Sequence, residues 1–219
     1  LMTFTMRADG SSKFASGNQW GYFPSLALAW RISDEAFMRN SQEWLSNLKL
    51  RLSIGTAGNN RIPSGSLETT YSLAGSGDKH IYFNNTSSVV LQRGKNLSNP
   101  NLKWETTLTR NIGLDFGLFN NRLTGTVEVF WKDCNNMLID VTYPGILGDK
   151  APTANVGSFK ANGWEGTLNW SDKIGKVSYH VGGTFTYTTN ELTDNGGSAT
   201  IKDGVRSDRE GYPLNSVFG

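Results

Sequence analysis

The sequence predicts an all-β fold, an antiparallel transmembrane β-barrel or part of one, on three observations. Apolar and polar residues alternate through about seven segments, the pattern of a strand that points successive side chains to opposite faces. Several segments reach the ~9–11 residues that a tilted strand needs to cross a bilayer. The connections alternate between short turns and long loops, an asymmetry that membrane barrels show, with tight turns on one side and long loops on the other.

The opening residues LMTFTMR already alternate. In PSLALAWRIS, Leu26, Leu28, Trp30 and Ile32 share one face, and Ser25, Ala27, Ala29 and Arg31 share the other. LKLRLSIG sets Leu48, Leu50, Leu52 and Ile54 against Lys49, Arg51, Ser53 and Gly55. The stretch from Leu102 to Phe116 opposes Leu108, Ile112, Leu114 and Phe116 to Glu105, Thr107, Asn111 and Asp115. Residues 123–131 oppose Val127, Val129 and Trp131 to Thr126 and Glu128. GWEGTLNW sets Trp164, Leu168 and Trp170 against Glu165, Thr167 and Asn169. VSYHVGGTFTY sets Val177, Tyr179, Val181, Phe185 and Tyr187 against Ser178, His180, Gly182, Thr184 and Thr186.

Short connections fall at Phe119-Asn120-Asn121-Arg122 and at Ser171-Asp172-Lys173-Ile174-Gly175. The long ones, roughly 57–100, 133–158 and 189 onward, are rich in Gly, Asn, Ser and Asp and carry Pro63, Pro100, Pro144, Pro152 and Pro213. Loops of that length are rare in compact soluble domains. One short link differs: Ser33 to Met38 offers a helix cap and an amphipathic turn leading to Trp44 and Leu45, and is expected to form a small interfacial helix. No repeat of fixed period accompanies this hairpin rhythm.

Alternation alone also suits a soluble β-sandwich, so strand length and aromatic placement carry the membrane reading. If the short turns mark the lower side, Trp30, Phe116, Trp170 and Tyr179 lie low and Trp104, Trp131 and Tyr187 lie high, as two aromatic girdles. On these observations alone a sandwich core filled with Trp and Tyr remains the competing reading. Arg110 is the misfit, because its parity points it toward lipid. Either the strand is bulged there or the guanidinium snorkels to headgroup phosphates.

Composition excludes other classes. Lys plus Arg number 21 against 19 Asp plus Glu in 219 residues, with no basic stretch interleaved with aromatics, so no nucleic-acid partner is expected. Cys134 is the single cysteine, which rules out an intramolecular disulfide and a Cys-rich zinc site. No apolar run approaches a spanning helix and no signal peptide opens the chain. Both ends read as cuts within a longer chain, which makes residues 1–219 one partial barrel domain.

No catalytic, metal or cofactor site is expected. Glu105 with Asp115, or Glu128 with Glu165, could meet as a glycosidase pair, but a polar lumen is lined by such carboxylates anyway. Asp9, Asp203 and Asp208 sit in Gly- and Ser-rich surroundings that suit calcium, yet without a calcium-loop spacing. Arg93-Gly94-Lys95-Asn96 lacks the pattern of a phosphate loop. The sequons at Asn84 and Asn96 carry weight only in a secreted eukaryotic protein.

Five strings are more specific: RADGSSKF (7–14), WGYFPSLALAWRIS (20–33), LSNLKLRLSIGTAGN (45–59), NPNLKWETTLTRNIGLDFGLFNNRLTG (99–125) and NVGSFKANGWEGTLNW (155–170). In order and spacing each resembles a stretch of the SusC and RagA family of TonB-dependent outer-membrane transporters, and GYPLNSVFG (211–219) is similar to that family's segment before its next strand. The resemblance covers nearly the whole chain. It implies a plugged barrel of roughly 22 strands in the bacterial outer membrane. It also implies a SusD-like surface lipoprotein as partner, energy from the TonB complex, and an oligosaccharide or peptide as cargo. The plug and the TonB-contacting segment are not in these residues. Within that frame the candidate ligand contacts are loop aromatics, Trp20, Tyr71, Tyr82 and Phe83, whose faces suit sugar rings, with loop packing as the alternative. The rival functions are a secreted β-sandwich carbohydrate-binding protein and a passive diffusion porin.

Overall fold

A computed structural model describes residues 1–62, 66–68, 71–73, 80–83, 86–89, 91–93, 98–140, 153–197, 201–203 and 206–218. For residues 72–73, 80–83, 86–89, 91–93, 140, 201–203 and 206–207 it describes the backbone alone. Seven strands form one antiparallel meander: β1 (Met2–Gly10), β2 (Trp20–Arg31), β3 (Leu45–Asn59), β4 (Glu105–Leu118), β5 (Leu123–Asp140), β6 (Thr153–Ile174) and β7 (Val177–Asp194). Each pairs antiparallel with its neighbours in chain order, across tight turns and long connections alike.

Register turns the period-two pattern of each strand into two continuous faces. Met2, Leu28, Leu52, Ile112, Val129, Trp164 and Tyr187 stand in one row across all seven strands. The next row, Thr3, Ala27, Ser53, Asn111, Phe130, Gly163 and Thr188, points the other way and is polar or small apart from Phe130. A slip of one residue in any pair would put polar groups among the apolar ones, so the pattern itself specifies the register. The apolar face is largely uncovered, with Phe4, Leu28, Trp30, Val127, Leu168 and Val181 all exposed.

The two ends of the sheet differ. At one end β4 and β5 join through Phe119, Asn120 and Asn121, all left-handed at φ 54, 56 and 60. Asn tolerates that region because its side chain bonds locally, whereas Phe does not. β6 and β7 join through Gly175, at φ 61. The link between β2 and β3 holds the small helix expected there, in 3₁₀ form. It is two 3₁₀ helices, Ile32–Asp34 and Ala36–Ser41, neither with a side-chain cap. Ser33 spends its hydroxyl on Asp34 Oδ1 at 3.4 Å, and Trp30 Nε1 donates to Glu35 Oε1 at 2.9 Å, which holds the link tightly across the strand end.

At the other end the strands outrun the alternation. β5 continues to Asp140, β6 begins at Thr153 and β7 reaches Asp194, so the stretches 133–140, 153–158 and 189–194, expected as loop, are ladder. β6 has 22 residues, about 70 Å along the strand at ~3.3 Å each. Tilted by ~45°, that exceeds the ~30 Å hydrocarbon core. Where both faces of a strand meet the same medium the two-faced code lapses, while backbone pairing continues. Within 57–100, Tyr71–Leu73 pairs with Leu91–Arg93 and His80–Phe83 pairs with Thr86–Val89. Asn84, Gly94, Lys95 and Asn96 lie outside the described residues.

The girdle residues Trp30, Phe116, Trp170 and Tyr179 stand low on the apolar face, and Trp170 Nε1 donates to Tyr179 Oη at 3.3 Å. Trp131 and Tyr187 stand high, joined by Trp164, whose ring lies 5.2 Å from that of Phe185. Trp104 does not belong with them. It packs on Phe14 and Phe23 at 5.3 and 5.5 Å between ring centroids, and its Nε1 donates to Gln19 O. Phe14, Ile62 and Leu102 are fully buried there, with Leu138 packed on them. This cluster ties residues 11–19 to the chain entering and leaving residues 60–104. Glycine at 21 and at 58 leaves room for the Phe23 ring.

Arg110 sits in an unbroken register, opposite Ile54 and Trp131, so the strand is not bulged there. Its side chain does point out of the apolar face. It meets Asp133 Oδ2 at 3.0 Å, one row higher.

Candidate functional site

The polar face carries the chemistry, and a band of charge crosses four of its strands. Arg51 on β3, Gly113 on β4, Glu128 on β5 and Glu165 on β6 stand opposite one another in a single row. Arg51 Nε donates to both oxygens of Asp115 at 3.0 Å, and its Nη2 lies 3.0 Å from Oδ1. Its Nη1 crosses the intervening strand to Glu128 Oε2 at 3.1 Å. The crossing needs Gly113, because a Cβ there would stand 2.8 Å from Arg51 Nη2. Asn111 Nδ2 donates to Glu128 Oε1 at 2.7 Å, and Lys49 Nζ approaches Asp115 at 3.8 Å. Charge-assisted bonds with a planar guanidinium fix geometry better than a lone ammonium does, so the network braces the wall as well as charging it.

Beside this band the face is smooth. Thr3, Thr5, Ser25, Ala27, Ser53 and Gly55 line a shallow groove of about 340 Å³. Thr126 and Thr167 hydroxyls bond each other at 2.8 Å. Small side chains leave space for another element or a solute to approach the backbone, and hydroxyls offer it hydrogen bonds. Phe130 interrupts the polar row, with Lys132 Nζ 5.1 Å from its ring centroid.

Of the two carboxylate pairs, Glu105 and Asp115 lie at opposite ends of β4, about 33 Å apart at ~3.3 Å per residue. Glu105 accepts from Asn59 Nδ2 and from the Leu138 N–H, both at 3.1 Å. Glu128 and Glu165 do stand opposite each other, but Arg51 and Asn111 hold Glu128. Ser171 Oγ lies 2.9 Å from His180 Nδ1, and neighbouring Asp172 turns to Arg122 at 3.5 Å instead of to that histidine. Asp9 pairs with Arg7 at 2.7 Å, and Asp208 accepts from the Asn215 N–H at 2.6 Å. The side chain of Asp203 lies outside the described residues. Among the described residues no three carboxylates, histidines or cysteines gather as metal ligands.

The four ligand candidates are not brought together. Trp20 opens β2 in register with Gly10, on the side of Tyr22 and Leu26, so it is an outward aromatic at the upper rim. Tyr71 is exposed in its short ribbon, paired with Arg93. Tyr82 and Phe83 lie in the ribbon 80–89, where only the backbone is described. The charged band was legible only in part. Each member falls on the polar side of its strand, but that Gly113 lets Arg51 reach two strands away is a fact of register.

The chain matches the family described as TonB dependent receptor-like, beta-barrel, over residues 2–217. It is 40% identical to TonB-dependent receptor P26 of Formosa agariphila over 77% of the chain and 16% of that protein. It is 36% identical to TonB-dependent receptor SusC of Bacteroides thetaiotaomicron over 88% of the chain and 19% of that protein. Among solved structures, the RagAB peptide importer in its closed-closed state superposes with a TM-score of 0.84 at 30% identity, covering 99% of the chain and 23% of its own. The chain thus spans less than a quarter of the length of these relatives.

Proposed function

The chain belongs to the TonB-dependent receptor-like β-barrel family, and on that premise we propose that it is wall and rim of an importer in the bacterial outer membrane. The importer takes up glycan or peptide oligomers, receives them from a SusD-like surface lipoprotein, and is driven by the TonB complex. It is a transporter and not an enzyme. The observation that carries the reading is the two-faced register, one face apolar and the other polar, that runs in step through the middle of all seven strands. An apolar face this exposed is unstable in water and at rest in hydrocarbon. The polar face, smooth beside a braced charge band, suits a lumen in which other elements move past the wall.

The test uses the full-length gene in its host. The protein is expected to stay with outer membranes through a high-salt wash and to co-purify with a lipoprotein. Its deletion should abolish uptake of a fluorescent oligosaccharide or peptide, and collapse of the proton gradient should do the same. Recovery in the soluble fraction would restore the sandwich reading, and uptake indifferent to the gradient would make the protein a porin.

A further inference from the structure

On the apolar face of the middle strands Arg110 stands out as an exposed cation among the described residues. Arg110 shares its row with Leu26, Ile54 and Trp131, and the row above, Thr56, Leu108, Asp133, Lys160 and Glu191, has already turned polar on β5 to β7. The upper aromatics Trp131, Trp164 and Tyr187 mark this level as the upper boundary of the hydrocarbon. Directly below the guanidinium lies a groove of about 290 Å³, floored by Leu26, Leu28, Leu52 and Ile54 and walled by Ile112 and Trp131. That volume is at the low end of the ~300–1,000 Å³ of small-molecule sites.

A guanidinium has five N–H donors in a fixed fork. Asp133 engages Nη2, and half of the Arg110 side chain remains exposed. Donors at a lipid boundary that find no acceptor are costly, and the groups available there are lipid headgroups. We propose that this groove seats an acyl chain of a phosphate-bearing glycolipid of the outer leaflet, with Arg110 donating to the phosphate. Trp131 closes the side of the groove, and Asp133 on the next row occupies one arm of the fork, competing with a phosphate for it.

The inference rests on the membrane placement proposed above, and fractionation tests that placement separately, before any lipid is added. For the site itself, full-length protein in an uncharged maltoside detergent is given lipid A or phosphatase-treated lipid A, and lipid retained per barrel is read by native mass spectrometry. Arg110→Gln should retain about tenfold less lipid A, the scale of one lost charge-assisted bond. Both proteins should hold the dephosphorylated lipid weakly and alike. Asp133→Asn frees the fork and should retain as much lipid A as the native protein, or more. Equal retention by native protein and Arg110→Gln overturns the proposal, as does equal loss of both lipids. A change in oligomer mass without a change in lipid also overturns it, since a second copy then covers the groove. Heat-modifiable migration confirms that each variant is folded. If Arg110→Gln does not assemble, Asp133→Asn decides alone, and reduced retention sinks the idea.

Discussion

Gly113 shows how much one absent Cβ can organise. Its neighbours in the row are a cation and an anion on different strands, and they touch only because nothing stands between them: a Cβ would lie 2.8 Å from Arg51 Nη2 and 3.3 Å from Glu128 Oε2. Valine at 113 should push Arg51 aside, leaving Glu128 beside Glu165, and like charges directly opposed in a sheet repel. The expected loss is roughly 1–3 kcal/mol, the penalty of stranding a partly buried acceptor. Urea unfolding of the full-length protein in lipid vesicles measures it. The loss should shrink sharply when Arg51 is already alanine, since the two changes remove one interaction; undiminished loss would mean that valine is simply too large there. The sequence placed Arg51, Asp115 and Glu128 on the polar sides of their strands but assigned no role to Gly113, because alternation reports facing and says nothing of what reaches across a neighbour. Arg110 is the converse case: its outward parity was legible, while its partner Asp133, in a stretch expected as loop, was not.

At the scale of the element, the facing of a strand is legible wherever its two sides meet different media, and its ends are illegible where they do not. The facings expected for PSLALAWRIS, LKLRLSIG and VSYHVGGTFTY are those observed, since each pairs in register with its neighbours. The upper ends of β5, β6 and β7 were missed because ladder hydrogen bonds persist in water without any side-chain code. Trp104 was misplaced for a related reason: it precedes β4, where parity no longer governs, and Phe14 and Phe23 capture its ring. The small helix expected at Ser33–Met38 is present as 3₁₀ turns, the form a link this short adopts. A facing test follows on β7. Val181 stands opposite Trp170 on the apolar side, and Thr184 stands opposite Thr167 on the polar side. Arginine at 181 should destabilise the assembled protein by ~2–4 kcal/mol, and arginine at 184 should change it little. A fluorophore on Val181→Cys should be quenched by brominated lipid, whereas equal tolerance at both sites, or no quenching at 181, would contradict the assignment.

The whole molecule poses a different problem from any of its strands. Eight hydrophobic residues are buried among those described, and several of them belong to the rim cluster rather than to the sheet. The sheet itself hides little: Met2, Phe4, Val177 and Val181 on its outermost strands are each about two-thirds exposed. Those strands, β1 and β7, each hydrogen-bond along their length to one neighbour, although at the top of β7 the Leu192 N–H donates to Tyr212 O and Leu192 O accepts from the Gly211 N–H. In hydrocarbon an unpaired strand edge is not tolerated, and in water a long flat apolar edge recruits other chains. The strand count of the closed structure was not legible in these residues, because the two-faced code is the same for every strand of a barrel and says nothing of how many complete it. Residues 1–219 produced on their own should therefore be unable to close. They are expected to collect in inclusion bodies and, after refolding in detergent, to migrate identically on a gel whether or not they are boiled. The same residues within the full-length protein should show the heat-dependent shift of a closed barrel. A soluble, monodisperse monomer of 1–219 with a cooperative melt would show that the apolar face has found cover within the segment itself, and the outward-facing rows of all seven strands would then have to be reassigned to a core.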